Sequence, residues 1–264
     1  MEIKATMATE NTWRIMAGIS SCLIFYGKMN LSNEGTIIFV KKVAERTFEA
    51  AIKVPASFSF IAGQYIWLMI PKMKYSDSRG NTRMFSIVSS PNKKGEINII
   101  FRISESGYKK TLVEMLPGAR VVFSGPYGSL SIPKINVLPL IFVVGGVGVT
   151  PFLSIIRFAD EIHSNQRIIL IYANNNKSEA VYLDELKRME RTYPCFKLFE
   201  IFGPLRERAL KKVVNGYIRY KAIWFIIGLR GFVNFTGKYL AEKGVSSQDM
   251  VFEQFYPDLP VKNG

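Results

Sequence analysis

The sequence predicts a two-domain chain, a small antiparallel six-stranded β-barrel followed by a doubly wound α/β parallel sheet. Three observations carry this. The first half holds short runs rich in β-branched and aromatic residues, separated by turn residues. After Ile132-Pro133 the rhythm changes to strand and helix in alternation. A chain of 264 residues, 48% of them hydrophobic, is long enough for two cores.

The barrel strands are expected at 35–43, 46–54, 64–70, 82–89, 96–103 and 120–124, with one helical interruption at 108–116. Pro117-Gly118 and Gly125-Pro126-Tyr127-Gly128 read as turns that punctuate the barrel's end. In the second half, strands at 140–144, 168–172, 196–201, 222–227 and 250–255 alternate with helices at 151–163, 180–191, 205–214 and 232–243. Continuous apolar runs such as LIFVV and IWFII suit a sheet covered on both faces. The boundary is expected within 133–139, giving a barrel domain over 33–135 and an α/β domain over 136–264.

Residues 1–32 stand apart. Their apolar run at 15–25 is bracketed by Arg14 and Lys28, short of the roughly 18 to 20 residues that cross a bilayer. They read as a leader, a peripheral membrane anchor or an N-terminal packing segment, and no clean signal-peptide cleavage site follows. The expected location is cytoplasmic, with membrane association through this segment as the alternative.

Composition narrows the chemistry. Two cysteines, Cys22 and Cys195, are too few for a disulfide scaffold, a cysteine-ligated iron–sulfur cluster or a structural zinc site, and no metal site is expected. A single histidine, His163, leaves little for a Ser/His/Asp relay. Redox work would need an organic cofactor. The net charge is +14, with 18 basic against 9 acidic residues up to Val137 and 17 against 12 after it. That field steers anionic partners, although scattered lysines also suit a plain solvated surface. No nucleic-acid-binding pattern is present, and nucleic acid is not an expected partner.

The strongest local signal is Val144-Gly145-Gly146-Val147-Gly148-Val149-Thr150-Pro151. A buried strand runs into glycines that let backbone approach a phosphate; Thr150 can cap the next helix and Pro151 suits its first turn. Upstream, Thr82 to Pro91 offers an arginine fork for phosphate, an aromatic plane and hydroxyls. Strand pleating places Arg83 and Phe85 on one face and Ser86 opposite, and taken in isolation this segment reads as an ordinary strand with Phe85 as core.

Taken in order, these segments resemble the ferredoxin–NADP reductase family. Arg83, Phe85, Ser86 and Ser89 fill that family's Arg-x-Tyr/Phe-Ser-x-x-Ser pattern, and Ser106 to Leu112 is similar to its second flavin-phosphate segment. The resemblance implies flavin binding by Arg83, Met84, Phe85, Ser86 and Ser89, and by Gly107, Lys109, Lys110 and Thr111. It implies dinucleotide binding by Gly145, Gly146, Gly148, Thr150, Pro151 and Gly228, and a catalytic pocket of Ser86, Glu253 and Phe255. Three departures stand out: Ile227 where many members carry cysteine, Leu229-Arg230 in place of prolines, and Asn175-Asn176 where an arginine often reads the adenosine end.

The implied activity is a flavin-dependent oxidoreductase. It would take hydride from NADH or NADPH on FAD, or FMN, and pass electrons to a separate acceptor: ferredoxin or another acidic carrier, a quinone, or a partner subunit. The rivals are an NAD(P)H:flavin reductase with diffusible flavin and a non-catalytic flavin- or nucleotide-binding regulator. Hydride transfer to a flavin depends on stacking and orientation more than on side-chain acids, so scarce histidine is no obstacle. Replacing His163 or Cys195 should therefore leave NAD(P)H oxidation unchanged in steady-state assays.

Overall fold

A computed structural model describes residues 33–128, 130 and 138–255. The expectations for 1–32, and most of the boundary expected at 133–139, lie outside the described residues.

Six strands make the first sheet: β1 (Asn33–Ala44), β2 (Thr47–Lys53), β3 (Tyr65–Met69), β4 (Thr82–Ser86), β5 (Glu96–Arg102) and β6 (Arg120–Tyr127), with helix α1 (Gly107–Val113) before β6. Their order is β4-β3-β6-β1-β2-β5, all antiparallel. An antiparallel bridge between Ile87 and Ile99 joins the two outer strands and closes the barrel. Alternation fills the inside: Ile66 and Leu68 point in with Phe85, Ile99, Phe101 and Phe123, while Tyr65 and Trp67 face out. The Tyr108 ring is fully buried there, and its hydroxyl is satisfied by donating to the Leu68 carbonyl at 2.9 Å.

Several boundaries shift from the sequence reading: α1 ends at Val113 and α3 begins at Leu183, each three residues short, and two strand ends of the barrel move by three residues. β6 continues through Gly125-Pro126 to Tyr127, where a terminal turn was expected. A register shift opposite Tyr65 to Trp67 takes up the proline, which has no N–H for a regular ladder. β4 ends at Ser86 instead of Ser89: Ile87 still bridges to Ile99 and the Val88 amide still donates to Asn98, but the carbonyls of Val88 and Ser89 turn to α2.

The second sheet is parallel: β7 (Leu140–Gly145), β8 (Ile168–Asn174), β9 (Phe196–Phe202), β10 (Ile223–Leu229) and β11 (Met250–Phe255), in the order β11-β10-β7-β8-β9. Helices α2 (Val149–Glu161) and α3 (Leu183–Thr192) cover one face, and α4 (Glu207–Val214) and α5 (Arg230–Glu242) the other. Strand order reverses between β7 and β10, which in such sheets opens a crevice at their C-terminal ends. On the barrel-facing side, Phe142 stacks on Phe225 at 4.5 Å between centroids and meets Phe152 of α2 edge-on at 4.8 Å.

Barrel and sheet share one core, in which Ala62, Val88 and Ile100 pack with α2. The seam is polar where backbone must be satisfied. Ser154 donates its hydroxyl to the Ser89 carbonyl at 2.7 Å, and Arg157 donates to the Val88 carbonyl at 2.8 Å. Arg157 also grips Glu185 with two bonds, at 2.7 and 2.8 Å, and stands 4.7 Å from the Tyr182 ring centroid. Arg102 pairs with Glu179 at 2.9 Å across the same seam. Arg157→Ala should cost about 3 kcal/mol in urea unfolding, since it strips Glu185 and a buried carbonyl of their donor together.

Candidate active site

The crevice at the C-terminal ends of β7 and β10 is shaped by glycines with separate duties. Gly145 leads into a single 3-10 turn, Gly146–Gly148, which runs straight into α2. A Cβ on Gly148 would lie 2.9 Å from the Ile227 carbonyl, so this glycine lets the helix start press against β10. A Cβ on Gly145 or on Gly228 would strike the Phe232 ring at 2.9 Å; together they form the bed on which that ring lies. Gly146 has φ +54 and open space where a Cβ would be, leaving bare backbone toward the crevice.

The expected Thr150 cap is not made. The N-cap of α2 is Gly148, without a side-chain cap bond, and Thr150 is a buried residue of the first turn, as is Pro151. The 3-10 turn already feeds the chain into helical geometry, so the capping position falls two residues earlier. Its effect is to leave first-turn amides with no capping side chain, the donor chemistry a dinucleotide phosphate fits.

Glu253 lies in register with Ile227 on β10, which in turn pairs with Val144 of β7. Ile227 and Val144 belong to the core on the barrel-facing side, and Phe255 packs against it. The Glu253 Oε2 atom is buried with no hydrogen-bond partner among the described residues. Burial alone pushes its carboxyl up to about 7. A protonated acid beside the strand ends can donate one hydrogen bond, and an ionised one can accept from a ligand's donor.

On the barrel side, Arg83 and the start of α1 are brought together at the β3–β4 loop, while Met84 and Ser89 lie apart from them, and several of the residues expected to hold flavin are already engaged. Arg83 is 6% exposed; its Nη1 donates to the carbonyls of Arg79, Gly80 and Thr82, and its Nη2 lies 2.6 Å from Asp77 Oδ1. Phe85 sits in the barrel core beside Tyr108 and Phe101, as plain pleating allows, and Met84 is exposed on the opposite face. Ser86 is buried at the end of β4. The Ser89 hydroxyl accepts from the Asn98 amide at 3.1 Å. Thr111 gives its hydroxyl to the Gly107 carbonyl and accepts the amides of Lys74 and Tyr75, while Lys110 pairs with Glu105 at the surface.

Sequence reasoning missed Asp77, which belongs to the β3–β4 loop. Its carboxylate receives the Ser106 hydroxyl at 2.6 Å and the amides of Tyr108 at 3.0 Å and Arg79 at 2.9 Å. Burial would raise its pKa, yet these donors and the Arg83 guanidinium outweigh burial and hold it well below the ordinary carboxylate range. Only the local contact with Arg79 follows from the sequence, as an Asx turn. The donor set is suited to an anion, and Asp77 stands in it as one; a flavin phosphate fits its chemistry.

Residues 35–132 match the oxidoreductase FAD-binding domain and residues 142–224 the oxidoreductase NAD-binding domain. The chain belongs to the ferredoxin–NADP reductase-like family. Its relatives include the reductase component of propane 2-monooxygenase from Rhodococcus jostii, 29% identical over 139 residues, covering 52% of this chain and 36% of that protein. A flavohemoprotein from Rhizobium meliloti is 27% identical over 221 residues, covering 76% and 54%. The chain thus spans only about a third to a half of the length of these relatives. Among solved structures, the cytochrome P450 reductase GcoB of Amycolatopsis superposes with TM-score 0.72 at 20% identity, covering 85% of this chain and 70% of that one. Ferredoxin-NADP+ reductase from Plasmodium falciparum gives 0.71 at 16%, covering 86% and 98%. These likenesses bear out the two-domain fold of this ferredoxin–NADP reductase-like chain.

An ordinary glutamate ionises near pH 4.3. With the folded-state value raised to about 7, the folded protein holds the Glu253 proton more tightly than the unfolded chain. Stability should therefore fall as pH climbs from about 4 to 7 and level off above it, and Glu253→Gln should flatten this part of the profile in urea unfolding.

Proposed function

We propose that this chain takes hydride from NADH or NADPH onto a flavin and hands the electrons to a separate protein acceptor. The observation that carries the reading is the junction itself: a glycine loop with bare backbone, a half-buried Glu253 whose Oε2 has no hydrogen-bond partner among the described residues, and the Ser89 end of the Arg83–Ser89 segment all border the seam that α2 fixes. A bound flavin supplies the capacity to accept a hydride and to release its electrons to another molecule. The chain's own residues do the positioning. The loop at Gly146 and the first turn of α2 hold the phosphates of the dinucleotide, and Ile227 and Glu253 flank its reacting end. Ser154 and Arg157 keep sheet and barrel from sliding, so the reactants meet without rearrangement of the domains.

Several relatives are named as reductase or electron transfer components of oxygenases, which supports a protein acceptor. The excess of 18 basic over 9 acidic residues up to Val137 favours an acidic one. Among the described residues no helix is long and apolar enough to cross a membrane.

One observation favours a second reading, a reductase of diffusible flavin: Asp77 already occupies the phosphate donors. Anaerobic titration decides the main proposal. The protein, supplied with FAD or FMN, should be bleached near 450 nm by NADH or NADPH, and absence of bleaching with either would refute it. Reduction of an acidic carrier such as ferredoxin should slow steeply as salt rises, and a salt-independent rate would rule out electrostatic docking.

A further inference from the structure

The β3–β4 loop carries a carboxylate into the place where the flavin reading needs a phosphate. Three donors with good geometry, the Ser106 hydroxyl and the amides of Tyr108 and Arg79, meet at Asp77, together with the Arg83 guanidinium. Asp77 does not exhaust them. Arg83 is more than nine-tenths buried, yet Nε and Nη2 make no hydrogen bond among the described residues; Nη2 is at ion-pair distance from Asp77 but out of line for one. A carboxylate has two oxygens, whereas the phosphate monoester of FMN offers three terminal oxygens and the diphosphate of FAD four, so either answers more of these donors.

The loop is held down from outside the cradle. The ammonium of Lys74 and the hydroxyl of Tyr75 both reach the exposed Glu114, the latter at 2.8 Å, and the amides of Lys74 and Tyr75 donate to Thr111 Oγ1 at 3.2 and 3.1 Å. Gly107 makes the close seat possible: a Cβ there would fall 2.0 Å from the Ser76 carbonyl. Carboxylate and phosphate cannot share one cradle, because two anions at contact repel and the donors serve only one.

We infer that Asp77 is an internal competitor for the flavin phosphate, so that flavin binds only as the Lys74–Gly80 loop leaves and is held exchangeably. This rests on the proposed flavin site and adds a selectivity that the site alone does not imply: the penalty falls on FAD and FMN and spares riboflavin, which lacks the phosphate. Asp77→Asn keeps the shape and an acceptor oxygen but removes the charge, leaving Arg83 in need of an anion. Glu114→Ala loosens the loop from the surface without touching the cradle.

The test is equilibrium binding of FAD, FMN and riboflavin to the whole chain, followed by quenching of flavin fluorescence. Asp77→Asn should tighten FAD and FMN by about tenfold or more while riboflavin moves by less than about twofold. Glu114→Ala should shift the same two ligands in the same direction by about threefold. Unchanged FMN affinity in a folded Asp77→Asn protein, or an equal gain for riboflavin, overturns the inference and leaves the flavin site standing. If Asp77→Asn does not fold, Glu114→Ala decides by the same comparison. No binding of any flavin to parent or variants overturns the flavin assignment and this inference with it.

Discussion

Helix α2 sets the geometry on which everything else depends. At its start lies the glycine turn of the dinucleotide loop, and along its flank Ser154 and Arg157, three residues apart and so on one face, donate to consecutive carbonyls of the barrel. Those carbonyls, of Val88 and Ser89, follow directly after the strand that carries Arg83 and Ser86. Away from water, a backbone acceptor without a donor costs free energy comparable to a lost hydrogen bond. Sliding the helix by one turn would orphan both carbonyls and separate Arg157 from Glu185. The two half-sites are thereby placed by one rod whose position is set by hydrogen-bond satisfaction as well as by apolar packing.

The two notable carboxylates show how environment divides one chemistry into two. Asp77 receives three hydrogen bonds and faces a guanidinium, and its acid is strengthened; Glu253 keeps a buried, unpartnered Oε2, and its acid is weakened to about 7. One is a fixed anion at every physiological pH, standing where an external anion would go. The other changes charge near neutrality, beside the strand ends where the proposed hydride transfer takes place. Neither behaviour follows from residue type.

The strands and helices were legible because their signals are local. Period-two alternation marked β3 and β4, including the inward face that places Phe85 in the core, and unbroken apolar runs marked β7 and β10. The glycine turn was legible for the same reason. Misreadings came where a distant partner intervened: β6 runs on past Gly125-Pro126 because β3 keeps pairing with it, and Gly148 takes the cap expected of Thr150 because the turn is pressed against Ile227.

The sequence by itself determined the two architectures, the order of the motifs and the absence of residues for a cysteine-rich or histidine-rich metal centre. Only the tertiary structure decided which donors are spent and which are left over. Arg83, Ser106 and Asp77 lie on separate segments, 29 residues apart in the case of Asp77 and Ser106. Spacing along the chain carries no information about their convergence. Phe232 covers Gly145 and Gly228 for a similar reason, since strands distant in sequence become neighbours only when the sheet forms. Burial and hydrogen-bond competition are properties of that assembled neighbourhood, and they set the charge and availability of each group.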